Sequence, residues 1–175
     1  MSPKKNDLPY IRRYITTHNT EGKAVFISHA QVPDYLPSTP AGDDGEIALL
    51  YATTSDPAST DAEADVAMYD EFLHQPPGIT VDEGTIFRLI DLRPGKAMPM
   101  HRTVSLDYGV IIEGEVDLVL DSGGVGECIV EIHTEWCRML FVFLPMQKLK
   151  IQGKELEAEV YDEGFDAESE SPEAD

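Results

Sequence analysis

Short runs of β-branched and aromatic residues, each ended by glycine, proline or asparagine, recur along most of this 175-residue chain. Such runs favour strands, and the residues between them favour tight turns. In Glu115–Leu120, acidic and apolar residues alternate as they do in a strand with one buried face. The other runs that predict strands are Tyr14–Thr17, Ala24–Ile27, Glu46–Thr54, Thr85–Leu92, Tyr108–Ile112 and Trp136–Leu144. The pattern predicts an all-β sandwich or barrel.

Two segments depart from this strand pattern. Gln31–Gly45 is rich in proline and glycine and predicts a loop, and Asp61–Leu73 predicts a loop with a short helix. The length suits one domain, and a hydrophobic fraction of 42% can fill one core. We therefore predict a flexible arm over residues 1–11, one domain over 12–160 and an acidic, disordered tail over 161–175.

The formal net charge of -20 excludes several classes of partner. Such a charge repels nucleic acid and anionic membranes, so neither is expected as a partner.

No apolar run approaches the roughly 20 residues of a membrane span. The polar N-terminus does not resemble a secretory signal, which predicts a cytoplasmic protein. Cys128 and Cys137 are the two cysteines, and we expect free thiols in that compartment.

One segment carries residues suited to chemistry: Gly95, His101, Asp107 and Gly114. Glycines permit turns on either side, and a strand starting near Asp107 can direct its carboxylate back toward His101. An imidazole beside a carboxylate can bind a divalent metal or act as an oriented general base. We therefore predict His101 and Asp107 as the catalytic residues, with general-base and metal-binding roles both open.

This segment resembles the first conserved motif of the cupin superfamily. Gly95, His101 and Gly114 stand at the motif positions, Asp107 replaces its glutamate, and Thr103 replaces its second histidine. The resemblance implies a single cupin barrel (a double-stranded β-helix or jelly roll). A closed barrel and an incomplete one both stay open, because the second motif is shortened or missing. The resemblance also implies a metal such as Fe, Mn, Ni or Zn, held by His101, Asp107 and His133.

A closer resemblance is to fungal cupins encoded near secondary-metabolite genes. It rests on the His101–Gly123 segment, Trp136–Val142 and the early Thr17–Phe26 segment. It implies a tailoring enzyme, an oxidoreductase, acting on a small aromatic or polyketide-derived metabolite, and a homodimer. Two alternatives stay open: a non-catalytic binding or dimerising cupin, and a metal-independent isomerase, dehydratase or decarboxylase with His101 as base.

Each candidate residue also has a structural interpretation. His101 can be a core histidine bonded to Thr or Asp, and Asp107 can pair with Arg102. We expect Thr103 to be structural, because a neutral hydroxyl binds metal weakly. We expect His18 at a strand edge, Trp136 in the core and Tyr108 facing away from Asp107.

Overall fold

The computed structural model describes residues 8–27, 38–41, 45–96, 98–120, 128–132 and 135–160. Within them lie thirteen strands, a short 3-10 helix at Asp61–Glu63 and one α-helix, α1, at Ala64–His74. The strands are β1 Thr16–His18, β2 Ala24–Phe26, β3 Ser38–Ala41, β4 Gly45–Ala52, β5 Ile86–Leu92, β6 His101–Arg102, β7 Ser105–Glu113, β8 Val116–Leu120, β9 Cys128–Ile132, β10 Cys137–Pro145, β11 Lys150–Ile151, β12 Lys154–Glu155 and β13 Glu159–Val160.

Five of the strands form an antiparallel sheet in the order β3-β4-β5-β10-β7. Two interior strands, β5 and β10, are mostly apolar runs, and their pairing runs from Cys137 opposite Leu92 to Phe143 opposite Ile86. Such runs suit central strands because a central strand is covered on both faces. The remaining pairs are β1-β2, β8-β9, β11-β12 and β13-β6.

The sheet has two differently covered faces. The inner face carries Ile90 and Met139, which lie in one cluster with Leu92 and Cys137. The arm face carries Leu89 and is covered by the N-terminal segment, whose Ile11 packs against Ala48, Leu50 and Leu89. Successive residues of a strand point to opposite faces of the sheet. The register therefore assigns each residue of β5, β7 and β10 either to the inner face or to the arm face.

Helix α1 closes one end of the inner face. No side-chain cap starts it, and its N-cap residue Glu63 has a left-handed backbone. Val66 and Tyr69 are buried against Ile86 and Phe143, so packing rather than capping holds the helix. The short helix predicted in this region is confirmed.

The sequence predicted seven of the thirteen described strands and missed six, namely β3, β6, β9, β11, β12 and β13. The segment predicted as a loop over Gln31–Gly45 contains β3, which pairs with β4 at the sheet edge. Pro40 lies in β3, and an edge strand tolerates proline because one side of its backbone needs no partner. Gly114, which the sequence predicts to permit a turn, lies between β7 and β8: its φ is +85°, and a Cβ there would lie 3.0 Å from the Cys137 Cα.

Barrel closure stays a prediction. The structure is mostly strand with one short helix, but β7 is at the edge of the five-stranded sheet, with no strand beyond it among the described residues. The predicted acidic tail, and residues 1–7 of the predicted arm, lie outside the described residues. Among the described helices, none has the length and apolar character needed to span a bilayer.

Candidate active site

His101 lies at the start of β6, where β13 pairs with it through Val160. Its ring Nδ1 is 2.8 Å from the carbonyl oxygen of Pro99. A carbonyl can only accept a hydrogen bond, so this contact assigns the proton of the neutral ring to Nδ1. Nε2 then keeps its lone pair, which is the form needed to accept a proton.

Asp107 lies in β7 on the inner face, opposite Phe143 of β10. Neighbouring protein atoms partly desolvate the carboxyl and raise its pKa, whereas the Ser105 hydroxyl and the charge of His101 lower it. Desolvation is the larger effect. His101 is therefore near enough for its charge to act on Asp107, while the carboxylate still reaches solvent on its open side.

Ser105 adds a third polar group that the sequence did not single out. Its hydroxyl acts on the pKa of Asp107, yet its buried Oγ has no hydrogen-bond partner among the described residues. The Ser105 hydroxyl is therefore close to the Asp107 carboxyl without forming a hydrogen bond to it. A buried hydroxyl without a partner carries a desolvation cost, which a bound polar group would relieve.

The described donors do not complete a metal site. Across the described ranges, no three His, Cys, Asp or Glu side chains converge as metal ligands. His133, predicted as the third ligand, lies outside the described residues. One imidazole and one carboxylate fall short of the roughly three protein ligands that a catalytic transition metal needs.

Other predicted residues occupy varied positions. Arg102 forms an ion pair with Glu159 at 2.5 Å. Tyr108 is 59% exposed and, one residue on from Asp107, lies on the arm face. Trp136 is half-buried, with the Arg93 guanidinium 5.8 Å from its ring centre. The remaining candidates are Thr103, which is half-buried between β6 and β7, and His18, which ends β1 and is exposed.

The most buried charges were not predicted. The Arg138 Nε and Nη2 atoms donate to the two carboxylate oxygens of Asp91 at 2.7 and 2.6 Å, and Nη1 donates to the Pro9 carbonyl at 2.6 Å. The pair fastens the N-terminal segment to the arm face. A sequence signal existed, because single charges inside the apolar runs of β5 and β10 require partners when buried.

Fold and site together define a class: a β-rich protein with one imidazole–carboxylate pair beside the inner face of its main sheet. No family model matches the chain. It is 40% identical over 157 residues to phomopsin biosynthesis cluster protein C' of Diaporthe leptostromiformis, covering 81% of this chain and 82% of the relative.

Two further relatives carry a domain name. The chain is 36% identical to the cupin-domain-containing oxidoreductase fogC of Aspergillus ruber, over 86% of this chain and 80% of the relative. It is 39% identical to the cupin-domain-containing oxidoreductase virC of Hypocrea virens, over 63% of this chain and 55% of the relative. The chain belongs to the family of cupin-domain-containing proteins found in fungal biosynthesis clusters, which confirms the resemblance drawn from the motif.

Proposed function

We propose that this chain is a cupin-type tailoring enzyme of secondary-metabolite biosynthesis, acting on a small aromatic or polyketide-derived metabolite at His101 and Asp107. The names of its relatives support the pathway class, since they refer to biosynthesis clusters and to oxidoreductases. The observation that carries the catalytic assignment is the Nδ1–Pro99 hydrogen bond, which leaves Nε2 of His101 free as a base.

The chemistry that these residues support is proton transfer. Nε2 accepts a proton from an acidic C–H or O–H bond of the substrate, and the bonding electrons stay on the substrate as an enolate or phenolate. The Asp107 carboxylate stabilises the imidazolium that forms, and returning the proton to another atom completes an isomerisation. Ser105, with its unpaired hydroxyl, is placed to bind a substrate oxygen.

An oxidoreductase is the second candidate, because relatives such as fogC and virC carry that name. It would require a metal or another redox partner, and His133 is the residue proposed to complete the ligands. A purified protein that retains about one equivalent of transition metal, and loses it in His101→Ala, would favour this candidate.

Deletion of the gene in its native host, followed by complementation, tests the catalytic assignment. We expect an intermediate to accumulate in the deletion strain, and the purified protein to convert that isolated intermediate. His101→Ala should reduce this conversion by about a hundredfold or more. His74→Ala is a matched control, because its Nδ1 is also 2.8 Å from a carbonyl oxygen, that of Asp70, but His74 is exposed at the end of helix α1.

The outcomes separate the candidates. A product of unchanged mass indicates isomerisation, a product that has lost water or carbon dioxide indicates the dehydratase or decarboxylase alternative, and a change in oxidation state indicates the oxidoreductase. If His101→Ala converts the intermediate as fast as His74→Ala, the catalytic assignment is wrong. The non-catalytic alternative would then be favoured.

A further inference from the structure

A cavity of about 540 Å³ lies on the arm face, between the N-terminal segment and the sheet. Its apolar wall includes Leu89 of β5, Leu140 of β10 and Ile112 of β7. Leu140 is paired with Leu89 and Val110, which the register assigns to the arm face, whereas Asp107 is on the inner face. The cavity is therefore separate from the candidate active site, with the thickness of the sheet between them.

The dimensions and lining of the cavity suit a small organic molecule. Known ligand sites have volumes of about 300–1,000 Å³, with mostly apolar walls and a few polar groups that fix orientation. Here the sheet supplies the apolar wall, and the N-terminal segment supplies polar groups from Arg12 to Thr16. The remaining polar groups, Tyr51 and Asp65, lie at the helix end of the cavity.

The charged groups around the cavity leave one cation available. Arg13 is anchored, since its Nη1 donates to the Leu50 carbonyl at 2.9 Å and contacts the Tyr69 hydroxyl. Asp65 accepts a hydrogen bond from the Tyr51 hydroxyl at 2.6 Å. The Arg12 side chain is exposed, and none of the side-chain hydrogen bonds or ion pairs among the described residues involves it. Two guanidinium groups against one carboxylate make this wall locally positive.

A locally positive wall is unusual on this chain, whose formal net charge is -20. At physiological ionic strength, charges are screened beyond about 8 Å, so nearby arginines outweigh distant acids for a ligand inside the cavity. Burial lowers the pKa of Arg13, in agreement with a wall partly shielded from water, but a guanidinium stays protonated in proteins.

We propose that this cavity binds a flat, mainly apolar organic acid, with its ring against Leu89 and Leu140 and its carboxylate at Arg12. One available cation suits one carboxylate, whereas a doubly charged phosphate ester would need a second cation, and Arg13 is already engaged by Leu50 and Tyr69. This site is independent of the proposed function, because none of its residues belongs to the His101–Asp107 site.

Calorimetric titration of the full-length protein with naphthoic acid and with the neutral naphthalenemethanol tests the proposal. We expect both to bind, and the acid to bind roughly fivefold more tightly because of one partly exposed ion pair. Added salt should reduce this preference, since screening acts on the charge and not on the ring. If neither probe binds, or the alcohol binds as tightly as the acid, the proposal is wrong.

Substitutions locate the binding within the cavity. Arg12→Gln should abolish the preference for the acid, and Arg12→Lys should retain most of it. Ile112→Trp should block both probes by filling the cavity, whereas Leu106→Trp is the matched control, 50% exposed on the same strand and not part of the cavity wall. If Ile112→Trp does not unfold cooperatively, Thr16→Trp, on the N-terminal wall, replaces it.

His101→Ala distinguishes this site from the candidate active site. Naphthoic acid should bind that variant with unchanged affinity, because the ring and the carboxylate contact the opposite face of the sheet. Loss of binding in His101→Ala, or unchanged acid preference in Arg12→Gln, would assign the probe to another site and overturn the inference.

Discussion

Two aspartates show, at the scale of single residues, how position in one sheet decides the effect of a charge. Asp91 is on the arm face, buried and bidentate with Arg138. Asp107 is on the inner face, and desolvation raises its pKa. The first charge is compensated and supports the fold. The second costs stability, as expected for a group retained for chemistry.

Asp91→Asn should lower the free energy of unfolding by about 3–5 kcal/mol, because it leaves a buried guanidinium without its counter-charge. Urea denaturation measures the change. The control is Glu155→Gln, which removes the exposed Lys150–Glu155 pair at 3.0 Å and should cost less than about 1 kcal/mol. Equal losses in the two variants would show that the Asp91–Arg138 pair does not hold the arm face.

Asp107→Asn should raise the free energy of unfolding at neutral pH, whereas Asp91→Asn should lower it. A carboxyl whose folded pKa is raised favours unfolding when it is ionised, so the variant gains stability near pH 7. Because Asp107 is exposed, the gain should be under about 1 kcal/mol. It should disappear as pH falls through the raised folded pKa toward the unfolded value of about 3.9. Urea titrations at several pH values measure it, and a loss of stability at pH 7 would contradict the assignment.

At the scale of elements, β7 is more exposed than β4, β5 and β10 of the same sheet. Leu106, Tyr108 and Val110 form an apolar stripe on its arm face, each at least half exposed. The strand is nine residues long and pairs only with β10 within the described chain. An open, apolar edge favours pairing with a second strand. The homodimer implied by the family resemblance stays a prediction, and β7 is where we expect two copies to meet.

Val110→Lys should weaken self-association, because it places a charge in the middle of the β7 stripe. Sedimentation velocity over a range of protein concentrations measures the fraction of dimer. Val25→Lys, which places the same charge on the exposed β1–β2 hairpin, is the control. A dimer that survives Val110→Lys and dissociates in Val25→Lys would place the interface at the hairpin instead.

At the scale of the whole molecule, net charge acts on the fold as well as on partners. A charge of -20 on 175 residues destabilises the compact state by self-repulsion. Among the described residues, most ion pairs are exposed, as at Lys23–Glu21 and Lys148–Glu157, and the Asp91–Arg138 pair is buried. Salt screens both the net self-repulsion and the attraction within those surface pairs. We expect the loss of repulsion to be the larger effect, so salt should stabilise the folded protein.

Raising sodium chloride from about 20 mM to about 300 mM should increase the melting temperature, because the Debye length shortens from about 20 Å to about 6 Å. Differential scanning calorimetry measures the shift. The same experiment on the chain truncated after Val160, which lacks the acidic residues 161–175, should give a smaller increase. A melting temperature that falls with salt would mean that attractive pairs, rather than net repulsion, dominate the electrostatics.

The sequence by itself predicted seven of the thirteen described strands, the short helix, the family and the two candidate catalytic residues. These follow from local pattern, since period-two alternation, turn residues and motif spacing involve neighbours along the chain. Even so, β3 was missed, because its pairing with β4 rather than its own residues makes it a strand.

Only the tertiary structure decided which residues meet across the sheet. Arg138 and Asp91 are 47 residues apart in sequence, and Arg13 and Tyr69 are 56 apart. The cavity combines the N-terminal segment with β5, β7 and β10. Contacts between residues so far apart in the sequence depend on strand order and register. The spacing of residues within one short segment does not determine either of them. For that reason the sequence predicted the inner-face site, whereas the arm-face cavity was found only in the fold.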